Sequence, residues 1–166
     1  MQRPPPIERE AERLTSLAST GIDRVSEAAY NELVELAAFT AHTPMACITV
    51  IGEDEAWYKA TIGFDAEGMD RTEAICAHTV ATGAPLTVPD TRRDDRFRDN
   101  PLVTGDLGVR FYAGIPLMVD DDLAVGTLCV LDTRPRTFLS DDRRALQIIA
   151  NQVTTHLHLA RCRATN

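Results

Sequence analysis

Cys76 and His78, two positions apart, carry the sharpest hint of chemistry in this 166-residue chain. A catalytic thiolate needs an activating base and a positive or helix-terminal setting. The run ICAHTV is followed by Gly83 and Pro85, which predicts a short helix over residues 75–82. Cys76 would stand near its N-terminus, where the helix dipole favours a thiolate. Residues two apart on a helix point in different directions, however, so the two side chains need not meet. The pair therefore reads as a loop-satisfying His78 and a pocket or core thiol at Cys76, with no catalytic residue expected.

Arginines are the second candidates, because a planar guanidinium matches carboxylate and phosphate. Arg71, Arg96 and Arg110 could hold a small anion, or could pair with Asp90, Asp95 and Asp106 to hold a loop together. Pairing is the favoured reading for Arg96. For Arg110, beside Phe111 and Tyr112, the two readings balance. Phe97, Asn100 and Pro101 shape the loop, and Trp57 and Tyr58 either line a pocket or simply pack. The candidate ligand-binding set is Arg71, Cys76, His78, Asp90, Arg96, Phe97, Asn100, Arg110 and Tyr112. His156, His158 and Cys162 suggest metal at first sight. Only His158 and Cys162 share a helix face, and two ligands do not make a zinc site. No metal and no cofactor is expected.

Composition narrows the classes. A net charge of −8 and a pI near 4.9 disfavour nucleic acid and an anionic membrane surface as partners. The longest apolar runs fall short of the ~20 residues a membrane helix needs, and no signal peptide is visible, so a cytoplasmic location is expected. The four cysteines, Cys47, Cys76, Cys129 and Cys162, form no CxxC pair and read as free thiols. Cys47 and Cys129 sit in apolar strand-like runs, as small hydrophobes do.

The elements that would position these residues follow in order. After a Pro-rich lead-in at residues 1–6, expected to be disordered, Ile7, Ala11, Leu14 and Ala18 form a helical stripe that Gly21 ends. A second helix follows Ser26 as its cap, with Ala29, Leu33, Leu36 and Ala37 on one face. Residues 45–51 are apolar throughout, the mark of a central strand covered on both sides. Residues 57–62 run back beside it, residues 63–72 are a loop, and residues 86–89 form an edge strand limited by Pro89. Residues 96–110 show neither helical nor strand period. Two apolar runs, 111–119 and 124–131, then form a hairpin about Asp120, Asp121 and Asp122. Gly126 implies close approach of a backbone or ligand. A last helix starts at Ser140, and its Leu146, Ala150, Val153, Leu157 and Ala160 make a heptad-like seam for packing on the sheet or pairing with a second chain. The pattern predicts one α+β domain over residues 7–166, with a central antiparallel sheet of five to six strands. Terminal helices cover one face and a loop-covered ligand pocket lies on the other.

Several blocks in this order resemble the GAF domains found ahead of bacterial histidine kinases and diguanylate cyclases. They are ICAHTV at 75–80, PLTVPD at 85–90, DRFRDNPLVTG at 95–105, VRFYAGIPL at 109–117 and GTLCVLD at 126–132. The resemblance spans about residues 9–159 and implies a sensory, non-enzymatic fold that binds a small molecule and pairs as a homodimer through its terminal helices. No kinase, cyclase or DNA-binding segment follows the final helix, so such a sensor acts on a signalling partner, on itself, or within something longer. One enzymatic branch, the free methionine-R-sulfoxide reductases, carries a thiol near the position of Cys76. Its catalytic thiol is expected in the loop over residues 91–110, which here has no cysteine. Bilin attachment is disfavoured because Ala77, not His, follows Cys76. A ligand-free protein-interaction module is the third alternative.

Overall fold

The apolar run at residues 45–51 is buried along its whole length as β1 (Met45–Ile51). The computed structural model describes residues 1–165; Asn166, the last residue of the expected domain span, lies outside the described residues. β1 pairs antiparallel with β2 (Glu55–Ile62) on one side and β6 (Leu123–Asp132) on the other. Beyond β2 lies β3 (Gly68–Asp70), and beyond β6 lie β5 (Phe111–Asp120) and the edge strand β4 (Leu86–Val88). The sheet has six strands in the order β3-β2-β1-β6-β5-β4. The hairpin joining β5 to β6 turns at Asp121 and Asp122, and Asp122 adopts φ 62°, a left-handed conformation that Asp tolerates better than most residues.

Two helices close one face. From α2 (Ala28–Ala41), Tyr30, Val34, Ala37 and Ala38 face the sheet, and from α5 (Ser140–Ala164), Leu146, Ile149, Ala150, Val153 and Leu157 do so. They meet Ala46, Ile48, Ile115, Leu117 and Leu128 in one apolar layer. The heptad-like seam of α5 is thus used against the sheet. The outward faces of these helices carry Leu36, Phe39, Ile148 and Leu159, all substantially exposed. The expected face of α2 is corrected at Leu36, which points outward while Tyr30 and Val34 point in.

Both expected caps are also corrected. Glu27, not Ser26, precedes α2, and Ser26 instead accepts a hydrogen bond from Asn31 Nδ2. Ser140 is already helical, and the start of α5 is fixed by the Leu139 amide donating to the Asp142 carboxylate at 3.0 Å. Two predicted loops contain short elements. Residues 63–72 hold β3 and a 3-10 turn at Arg71–Glu73, while residues 91–110 hold a turn at Thr91–Arg93 and the one-turn α4 (Pro101–Thr104). The first six residues have no regular structure, and the Gln2 amide donates to Arg96 O at 3.0 Å.

The first helix departs most from expectation. α1 (Glu10–Ser19) leaves Ala11 and Ala18 exposed and buries Arg13 and Ser16. It crosses the ends of β1 and β6, where strand pairing stops and carbonyl oxygens need donors. Arg13 supplies them, donating to Ile51 O at 2.7 Å and to Gly52 O at 3.4 Å, while its Nε and Nη2 grip both oxygens of Glu10. Ser16 Oγ donates to the Asp120 carboxylate at the hairpin tip.

Glu10 also receives Arg71, at 2.5 Å. Partial burial pushes its carboxyl up, but the hydrogen bonds from Arg13 and Arg71 outweigh that and hold it down at about 2. A carboxyl with a depressed folded-state pKa stabilises the fold above its unfolded value of about 4.3, and this contribution disappears as pH falls towards 2. Urea midpoints measured between pH 6 and pH 2.5 should therefore fall less steeply in Glu10→Gln than in the parent.

Gly126 satisfies its expectation by meeting backbone: a Cβ there would collide with the Thr49 carbonyl oxygen of β1. Because that oxygen belongs to the central strand, relief requires moving the sheet. Gly126→Ala should cost about 2 kcal/mol, within the range for overpacked cores, measured by urea denaturation.

A thiol-lined cavity as the candidate functional site

The face of the sheet opposite α2 and α5 is covered by α3 (Ile75–Thr82), by α4, by Met69 of β3 and by the loop segments carrying Phe64 and Leu107. Alternation along the strands decides what faces this layer. Cys47 and Thr49 of β1, Thr127 and Cys129 of β6 and Tyr112 of β5 share it. Cys47 and Cys129 are direct cross-strand partners, with sulfurs 3.0 Å apart. α3 brings Cys76 Sγ to 3.7 Å from Cys129 Sγ and 3.5 Å from Thr49 Oγ1. Tyr112 donates from its hydroxyl to Cys76 Sγ at 3.5 Å and shares a 3.0 Å hydrogen bond with Thr79. Gly114 leaves room for the tyrosine, since a Cβ there would overlap its ring and hydroxyl.

The resulting cavity is lined by Cys47, Thr49, Cys76, Tyr112 and Cys129 together with Tyr58, Phe64, Leu102, Leu107 and Leu131, and its free volume is about 20 Å³. That is room for about one water molecule.

The electrostatics of the three thiols differ. Hydrogen bonding from Cys129 outweighs burial and, with Thr49 and Tyr112, lowers the Cys76 thiol to about 6. Cys129 is pushed up, chiefly by its contact with Cys47. Burial raises the Tyr112 and Tyr58 hydroxyls, and the neighbouring thiols add to it. Thr127 Oγ1 lies buried beside Cys76 with no partner of hydrogen-bond geometry among the described residues.

Only Cys76 and Tyr112 of the sequence-nominated set line this cavity. His78 lies on α3, largely buried, with its ring edge-on to Phe97 at 4.8 Å, and burial lowers its pKa. Phe97 is fully buried beneath Arg96, whose guanidinium is 4.9 Å from the ring centre and grips both Asp94 oxygens at 2.7–2.9 Å. Asn100 caps α4 through the Leu102 amide and donates to Glu73 O, tying the loop to the turn before α3. Asp90 caps the Thr91–Arg93 turn and pairs with Arg92. Arg110 donates to Val103 O at 2.8 Å, and Arg71 is held at α1. The three arginines thus hold loops and helix ends, with carboxylates other than those expected for Arg71 and Arg96 and backbone carbonyls for Arg110. At the C-terminal end, His156 packs edge-on against Tyr30 and His158 bonds Val119 O at 2.7 Å.

Cys47, Thr49, Thr127 and Cys129 were missed as site residues. The signal was present: Cys47-x-Thr49 and Thr127-x-Cys129 each put a thiol and a hydroxyl on one strand face. Their convergence required the register of β1 against β6.

Comparison with known proteins agrees with this architecture. The chain is 33% identical over 163 residues to the cyclic di-GMP phosphodiesterase PA2567 of Pseudomonas aeruginosa, covering 97% of this chain but only 28% of that protein's length. The structure of the GAF domain from a phosphoenolpyruvate-protein phosphotransferase of Coxiella burnetii superposes with a TM-score of 0.71 at 13% identity, covering 95% of this chain and 97% of the other. A free methionine-R-sulfoxide reductase of Staphylococcus aureus, in its reduced form, superposes at 0.61 with 14% identity over 92% and 99% of the two chains. Those low identities establish the shared fold alone. A family model described as the GAF domain matches residues 16–157, and with the antiparallel sheet, the helical face and the covered loop face all in place, this chain belongs to the GAF family.

Proposed function

We propose that this GAF domain is a non-enzymatic regulatory module that senses a small molecule or chemical signal beneath its loop face. It transmits the signal through α2 and α5 to a second copy of itself or to a signalling partner. The observation that carries this reading is the division of the sheet: polar and thiol groups converge under the loops on one face, and helices with exposed Leu36, Phe39 and Ile148 lie on the other. β1 and β6 connect the two layers, so a change at Cys47 or Cys129 is felt by residues one position along the same strands. Transmission requires the two helix arrangements to differ in affinity for the signal. The Pseudomonas relative is named a cyclic di-GMP phosphodiesterase, and this chain matches 28% of it. In a protein of that kind, our reading assigns this domain the regulation of the activity and not its catalysis.

A thermal-shift screen of nucleotides, oxoacids and amino acids tests the ligand. A hit that Tyr58→Ala removes supports the reading, whereas silence across the screen counts against a conventional small-molecule ligand. The small cavity favours, as a second reading, a ligand-free interaction module. Light scattering separates the two further: dimerisation sensitive to Phe39→Asp supports coupling through the helices, and a monomer at high concentration removes homodimeric coupling.

A further inference from the structure

We propose that Cys76 and Cys129 form a peroxide-reactive dithiol, in which hydrogen peroxide entering the cavity oxidises Cys76 and Cys129 closes a disulfide. Four features of the site carry this. Cys76 occupies the first turn of the eight-residue helix α3, where backbone amides and the dipole favour a thiolate. Hydroxyls of Thr49 and Tyr112 lie 3.5 Å from its sulfur. A potential resolving thiol, Cys129, is 3.7 Å away. Cys47, Cys76 and Cys129 all line the cavity that a small polar entrant would occupy. Cys76 is also the least enclosed of the three thiols, 7% exposed against 2% for Cys47 and 0% for Cys129. The depressed Cys76 and raised Cys129 ionisations agree with nucleophile and resolving roles in that order.

The size of the cavity selects the oxidant. Its free volume of about 20 Å³ suits a molecule near the size of water. Bulky organic hydroperoxides and glutathione disulfide do not fit without opening the loop face. In the first step the Cys76 thiolate attacks one peroxide oxygen, the O–O bond breaks, and hydroxide leaves and takes up the proton that Cys76 released. The products are a Cys76 sulfenic acid and water. In the second, the Cys129 sulfur attacks the Cys76 sulfur, the S–O bond breaks, and hydroxide leaves with the Cys129 proton as water. Two thiols and one peroxide give one disulfide and two waters. Cys47, 3.0 Å from Cys129, then becomes the neighbour able to exchange with that disulfide.

The chemistry does not depend on the regulatory reading, although its use as a signal does. The test uses the full chain carrying Cys162→Ser, which removes the exposed thiol. Protein is treated with a few equivalents of hydrogen peroxide, alkylated under denaturing conditions and mapped by mass spectrometry without reduction. The expected product is a Cys76–Cys129 linkage, formed at least about tenfold faster with hydrogen peroxide than with cumene hydroperoxide, as expected when access limits thiol oxidation. In Cys129→Ser the reaction should stop at a dimedone-trappable sulfenic acid on Cys76. Three thiols still reduced under peroxide excess would overturn the proposal. So would a Cys47–Cys129 linkage that forms equally fast in Cys76→Ala. If Cys129→Ser does not fold, mapping of the parent decides alone. A change in dimerisation on oxidation tests the regulatory reading separately, and its absence leaves the mapped linkage standing.

Discussion

Arg13→Ala should lower the stability of the domain by about 3–5 kcal/mol, the range expected when one partner of a buried ion pair is removed. The Arg13 side chain is 1% exposed, and its guanidinium holds the Glu10 carboxylate and the carbonyls of Ile51 and Gly52 together. Alanine takes the Arg13 donor from Ile51 O and leaves both Glu10 and Gly52 O with Arg71 alone. It also opens a cavity between α1 and the strand ends. With a urea m-value of about 2 kcal/mol/M for a small domain, the midpoint should fall by roughly 2 M. Because Arg13 fastens α1 to the ends of β1 and β6, proteolysis should first cut near residues 1–20. A midpoint within about 0.3 M of the parent, using the same m-value, would show that Arg13 is only packed there and that its bonds contribute little.

Lys59→Ala should have the next largest effect, about 3 kcal/mol, on the same buried-charge argument. The only lysine of the chain has a fully buried side chain. Its ammonium donates to Asp23 O at 2.9 Å and Val25 O at 2.6 Å, pairs with Glu27 at 2.7 Å, and lies 5.3 Å from the Tyr30 ring centre. It thereby fixes the segment entering α2. A bulge makes this possible: Ile48 pairs with Ala60 and Thr49 with Tyr58, so Lys59 is the extra residue and turns toward the helices. Lys59→Met keeps the volume and should recover about 1 kcal/mol of the alanine loss, because packing is restored while the two carbonyls still lack a donor. Equal losses for the two variants, measured by urea denaturation, would place the whole effect in the charge.

These two cations also show where pattern reading fails. A helical stripe is read from apolar residues, which puts Ile7, Ala11, Leu14 and Ala18 on the inner face of α1. The inner positions are Arg13 and Ser16, because that helix packs on strand ends whose carbonyls need donors. Likewise Lys59, in a predicted strand, looks solvent-facing until the bulge of β2 is known. The arginines of the loop were legible as ion-pairing groups, but their partners were not, since Asp94, and not a more distant carboxylate, lies within reach of Arg96.

Sequence alone determined the family, the order of the long elements, the hairpin, the burial of β1 and the apolar seam of α5, which the structure sets against the sheet. Each rests on a local period, a turn residue or an ordered set of blocks, all of which are properties of neighbours along the chain. Tertiary structure alone decided that Cys47, Cys76 and Cys129 meet beneath the loops while His78 turns to Phe97. Those contacts join residues up to 82 positions apart, and they depend on strand register and on which face α3 presents. A one-residue slip of β6 against β1 would turn Cys129 to the helical face and disperse the cluster.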